Sequence, residues 1–188
     1  KHLTNNYRRT KDFNQYRQTT HLTQDLTKDD WTKVESVDIN ALSEQSMEAP
    51  QAEDLYRNLE QVGRQMLKAI ALHLGLDELY FEQFVPGGNS ILRLIHYPPI
   101  SSEPNSSVRA GQHEDINLLT LLVGATADGL QVMDHDGSWI QVQGDQDAII
   151  VDSGDMLQNL TNGLFKSTTH RVVNPKDSNS RRYSMPMF

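Results

Sequence analysis

From residue 91 to the end, short runs of branched and aliphatic residues are separated by clusters of Gly, Asp, Asn and Ser, and this rhythm leaves few folds open. The runs at 91–97, 117–123, 130–133, 139–142, 148–151, 167–173 and 182–187 read as strands, and 124–129, 134–137, 153–155 and 162–163 read as turns. Seven or eight short strands with no long helix between them predict an all-β barrel or sandwich. A parallel sheet would need crossover helices that this stretch has no room for.

Ahead of the strands, Leu55, Leu59, Val62, Met66, Ile70 and Leu74 recur at steps of three and four, which predicts an amphipathic helix over 50–74. Pro50 near its start lacks only an amide that the first turn would leave unbonded, and Gly75 just past its end suits a left-handed cap. Tyr56 and Met66 are expected in the core, and His73, without a partner at helical spacing, has a structural role. A second short helix is expected over 77–84, before Pro86-Gly87-Gly88-Asn89 turns the chain into the sheet. Residues 1–30 are polar, with no periodic apolar face, and the basic cluster Arg8, Arg9, Lys11 and Arg17 reads as solvated charge. The division expected is a polar segment with flanking helices over 1–89 and a barrel over 90–188, with further chain beyond both ends.

Charge and cysteine usage narrow the function classes. A net charge of −8 disfavours nucleic acid, whose binders carry a basic face. No Cys means no disulfide framework and no thiolate metal site. No run of about 20 apolar residues or signal pattern is present. The expectation is a cytoplasmic monomer acting on a small molecule, with neither a nucleic acid nor a membrane partner.

The chemistry gathers at Gly111-Gln112-His113-Glu114-Asp115. His113 and Asp115 are two apart, so an extended backbone turns both side chains the same way. His170, on a later strand-like run, can close the third side of an ion site. Two imidazoles and one carboxylate on one face of a metal leave cis positions open, the arrangement that suits Fe(II) binding oxygen and an organic ligand together. Near the C-terminus, Arg182 and Ser184 share a strand face and can bind one carboxylate, by a planar fork and a hydroxyl. Arg181 points the other way and is solvated, and Glu114 faces away from the ligands as a supporting or surface group. Asp134-His135-Asp136-Gly137 imitates a metal motif but is better explained as a two-residue hairpin turn between QVMD and SWIQV.

The segments LRLIHYPP, GQHEDINLLTLL, GLQVMDHDGSWIQV, IIVDSGDMLQNLTNGLFKSTTHRVVNP and RRYSMPMF resemble the Fe(II)- and 2-oxoglutarate-dependent oxygenases, in particular the branch similar to isopenicillin N synthase and the plant flavonoid and gibberellin oxygenases. The resemblance covers about 72–188 and implies a mainly β fold with flanking helices, a double-stranded β-helix or jelly-roll barrel. It implies His113, Asp115 and His170 as catalytic iron ligands. Arg182, Ser184 and Tyr97 would hold the distal carboxylate of 2-oxoglutarate, and TNGLFKS would position the strand of His170. The implied reaction couples oxidative decarboxylation of 2-oxoglutarate by molecular oxygen to hydroxylation, desaturation or cyclisation of a small organic molecule. Ile95, where many relatives carry Asn, together with Asn117 and Leu119, is expected to wall the site. Two other readings stay open: a 2-oxoglutarate-independent Fe(II) oxidase in which Arg182 binds a substrate carboxylate, and a barrel without catalysis.

Overall fold

The computed structural model describes residues 35–39, 50–99, 108–143, 147–174 and 181–188. The polar segment 1–30, most of the Ser/Pro-rich stretch 101–108 and residues 175–180 lie outside the described residues. Among those described, nine strands form two antiparallel sheets. They are β1 (Glu35–Ile39), β2 (Leu92–Tyr97), β3 (Ala110–His113), β4 (Leu119–Val123), β5 (Leu130–Met133), β6 (Trp139–Gln141), β7 (Ile150–Ser153), β8 (His170–Val172) and β9 (Arg182–Met187). The first sheet runs β1-β2-β9-β4-β7 and the second β3-β8-β5-β6, so chain neighbours often lie in opposite sheets, as a jelly-roll barrel requires.

The helix α1 (Pro50–His73) ends where its periodicity does. Gly75 takes φ 69°, and Gly75 N donates to Leu72 O while Leu76 N donates to Ala71 O, a pair of bonds that satisfies carbonyls the helix leaves open. Its apolar stripe buries Tyr56, Leu59, Leu67 and Ala71 against Leu92, Leu119, Leu121 and Met187 of the first sheet. Each buried Leu in that layer contributes about 1.5–3 kcal/mol relative to exposure. Met66, expected in the core, is instead 36% exposed, because it falls at the edge of the stripe. The expected second helix is a 3-10 turn at Tyr80–Gln83, which buries Phe81 beneath α1.

Register sorts the side chains of the first sheet into two layers. Leu92 pairs with Met187 and Leu121 with both Met187 and Val151, and this face carries the apolar core under α1. The opposite face presents Tyr97 paired with Arg182, Ile95 with Ser184, Leu122 with Pro186, and Thr120 with Asp152. The main apolar core therefore lies outside the barrel, between sheet and helix, and the inter-sheet space is left for polar groups. Leu119, expected at the site wall, belongs to the apolar layer, one residue out of phase with Thr120.

Three elements were not anticipated, among them β3, whose residues were read only as an extended segment around His113. The sequence SGD reads as a turn, but Gly154 opens α2 (Asp155–Leu160), too short for periodicity to reveal. β1 pairs with β2 along its whole length, from Glu35 opposite His96 to Ile39 opposite Leu92. The hairpin at 134–138 forms, but with three residues in its loop rather than two: Asp134 N donates to Ser138 O, Gly137 N to Asp134 O, and Gly137 adopts φ 83°.

Candidate metal centre

Among the described residues, the ligand atoms of His113, Asp115 and His170 all lie within 4.8 Å of one another. Nε2 of His113 is 3.8 Å and Nε2 of His170 4.0 Å from the same carboxylate oxygen, Oδ1 of Asp115. The two rings stand 4.2 Å apart at 54°. His113 ends β3 and pairs directly with His170 at the start of β8, so sheet hydrogen bonding brings together residues far apart in the chain. A register shift between Ala110 and His113 marks a bulge, which re-aims the strand end.

Each imidazole is held from behind. His113 Nδ1 lies 2.7 Å from Gly111 O and His170 Nδ1 3.0 Å from Thr168 O. A carbonyl can only accept, so in a neutral ring the proton belongs on Nδ1 and the Nε2 lone pair turns toward Asp115. Asp115 is 7% exposed, and its other oxygen, Oδ2, accepts a hydrogen bond from Thr120 Oγ1 at 2.5 Å. Thr120 in turn accepts from Asn117 Nδ2 at 2.9 Å. Two nitrogen lone pairs and one carboxylate oxygen therefore converge, a donor set that fits a divalent first-row metal with positions left open. The opening lies on the side of His113, whose side chain is 45% exposed against 13% for His170.

The loop bearing Asp115 is clamped by α2. Asp155 N donates to Asp115 O at 2.8 Å, Met156 N reaches Ile116 O and Asn117 O, and Gly154 N reaches Leu118 O. The approach is so close that a Cβ on Gly154 would stand 2.3 Å from Asn117 O and 2.7 Å from Asp115 O. Beside it, Ser153 Oγ donates to Lys166 O and Thr168 N to Ser153 O, which ties down the segment leading into His170.

Arg182 is 1% exposed and Ser184 2%. Arg182 Nη1 donates to Ser184 Oγ at 3.0 Å and Nε to Ala127 O at 3.3 Å, and the guanidinium lies 5.2 Å from the centre of the Tyr97 ring. Burial lowers its pKa from the ordinary arginine value, and the Tyr97 phenol, hydrogen-bonded to it, offsets part of that. Arginine is nonetheless cationic at neutral pH, so this is a buried positive charge. Ser184 and Tyr97 both accept from Arg182, so neither hydroxyl uses its own proton in that contact. Arg109, which sequence reasoning missed, approaches the same ring at 5.6 Å, and burial followed by the nearby Arg182 lowers its pKa.

His73 packs edge-on against Phe165, and Arg181 is exposed. Among the described residues, neither His73 nor His135 joins a group of possible ligands. His96 stacks on Tyr183 at 4.8 Å on the face turned away from Arg182. Glu114 faces out and accepts a hydrogen bond from the Thr169 hydroxyl, joining the two ligand strands at the surface. The missed supports are Thr120, Asp152 and Gly154. A Thr and an Asp inside otherwise apolar strands were the visible signal, since such groups are buried only with partners.

The 2OG-Fe(II) oxygenase superfamily profile matches residues 88–188. The chain is 34% identical over 138 residues to the 2-oxoglutarate-Fe(II) type oxidoreductase hxnY of Emericella nidulans, which covers 72% of this chain and 39% of that protein. A full-length Neurospora crassa protein, solved in complex with alpha-KG, superposes with a TM-score of 0.74 at 31% identity, over 82% of this chain and 54% of that one. JOX2 in complex with 2OG, Fe and JA superposes with a TM-score of 0.65 at 30% identity, over 72% and 40%. The chain thus spans less than half the length of the curated relatives it matches. Since the profile takes in more than half of the chain, and relatives similar to it in sequence bear the same description, the chain belongs to the 2OG-Fe(II) oxygenase superfamily.

Proposed function

We propose that this protein, within the branch that includes isopenicillin N synthase, is an Fe(II)- and 2-oxoglutarate-dependent dioxygenase that oxidises a C–H bond of a small organic molecule. One observation carries the reading. His113, Asp115 and His170 converge, and the buried Arg182 with Ser184 lies on the same sheet face as Thr120 and Asp152, which stand behind two of those ligands, so acceptors and a cation are offered from one side of the sheet. A five-carbon keto diacid has the complementary form, a chelating end and a distal carboxylate.

Bound there, Fe(II), 2-oxoglutarate and oxygen supply the oxidising chemistry, with succinate and carbon dioxide as co-products. The chain's own residues bind and orient. His113 and His170 offer Nε2, and Asp115 offers Oδ1 while Thr120 occupies Oδ2. Arg182 receives the distal carboxylate through a charge-assisted fork, and Ser184 and Tyr97 add hydroxyl donors. The burial of Arg182 keeps water from competing for that fork. Ile95, across from Ser184 on the inward face, gives an apolar wall.

The test is succinate formation by the purified protein with Fe(II), 2-oxoglutarate and oxygen, with and without candidate small molecules. Oxygen-dependent turnover supports the reading. Failure of 2-oxoglutarate to bind the anaerobic iron-loaded protein would transfer Arg182 to a substrate carboxylate and favour the oxidase alternative.

A further inference from the structure

Asp152 is a charged residue in the middle of an apolar strand, and its side chain turns inward beside the metal cluster. Its Oδ2 lies 3.4 Å from Nδ1 of His170, the nitrogen remote from Asp115. Its Oδ1 is buried without a hydrogen-bond partner, a costly arrangement that packing alone does not explain.

We propose that Asp152 is a positioning residue that acts through His170, holding Nδ1–H jointly with the Thr168 carbonyl so that Nε2 stays unprotonated and aimed at the metal. This rests on the reading of His113, Asp115 and His170 as the metal site. The carbonyl of Thr168 can only accept, and the Asp152 carboxyl lies against the same nitrogen, so the single proton of a neutral imidazole goes to Nδ1 between them. A carboxylate in that position also makes the ligand nitrogen more basic, which a carbonyl does less well. Register adds an independent argument. Thr120, which donates to Asp115, sits directly opposite Asp152 across β4 and β7, so one strand pair braces two of the three ligands from behind. His113 is braced by a carbonyl of its own strand and stands at the exposed edge.

The test compares wild type, Asp152→Asn and Asp152→Ala, each metal-free and titrated anaerobically with Co(II), whose visible absorption reports its coordination. Asp152→Asn keeps the volume and loses the charge, and it is expected to weaken Co(II) binding about tenfold or more, with an altered absorption band at saturation. The metal-free melting temperature of this variant is expected to hold or rise, because a buried carboxylate oxygen without a partner has been neutralised. Affinity and stability then move apart, which a merely structural role would not produce. Asp152→Asn binding within about twofold of wild type overturns the proposal, and so does a loss confined to Asp152→Ala, which assigns the residue to packing. A wild-type protein that takes up no Co(II) would instead overturn the metal reading on which the proposal stands.

Discussion

Gly154→Ala separates steric positioning from every other effect. Gly154 has φ −103° and ψ −179°, extended backbone that alanine adopts without strain. Replacing Gly where the conformation is compatible stabilises by about 0.4–1 kcal/mol through the unfolded chain. Here the new Cβ would meet Asn117 O at 2.3 Å, Asn117 Oδ1 at 2.5 Å and Asp115 O at 2.7 Å. Two of these atoms are backbone, so no rotamer change relieves them. To restore an ordinary carbon–oxygen contact, the loop has to retreat by roughly 1 Å. That retreat strains the bonds from Asp155 N to Asp115 O and from Met156 N to Asn117 O. Overpacking of this kind costs about 1–3 kcal/mol, larger than the backbone gain. For a chain of this size each kcal/mol corresponds to about 2–4 °C in Tm. The same displacement exceeds the tolerance of about 0.2 Å on metal–ligand distances, so metal affinity is expected to fall together with stability. The assay is thermal unfolding of the metal-free protein followed by anaerobic Fe(II) titration. Gly63→Ala in α1 serves as the control, since a Cβ there meets only Leu121 Cδ1, at an ordinary 3.5 Å. Wild-type stability and iron affinity in Gly154→Ala would refute the reasoning.

His113→Ala, Asp115→Ala and His170→Ala are each expected to abolish stoichiometric Fe(II) binding, while His135→Ala and His73→Ala leave it intact; retained iron in the His170 variant would dismiss the assignment. Arg182→Gln is expected to weaken 2-oxoglutarate binding by roughly 2–5 kcal/mol with Fe(II) affinity spared, because a ligand carboxylate would lose its buried charged partner. Tyr97→Phe removes one neutral hydrogen bond and is expected to cost about 0.5–1.5 kcal/mol, as read by anaerobic calorimetry.

The sequence by itself determined what depends on local period and spacing. Steps of three and four set α1 and its Gly75 cap, and alternation with turn clusters marked most strands. The spacing of His113 and Asp115 and the period-two face of Arg182 and Ser184 were legible for the same reason. Tertiary structure decided what stands behind those residues. Thr120 supports Asp115, and Asp152 adjoins His170, because β4 and β7 pair in a register set by long-range packing that no local window records. Leu119 differs from Thr120 by one residue and so by a whole face, toward α1 rather than the site. The short α2 and the bare Cα of Gly154 have too few residues to leave a pattern, and they acquire meaning only when the Asp115 loop is laid against them.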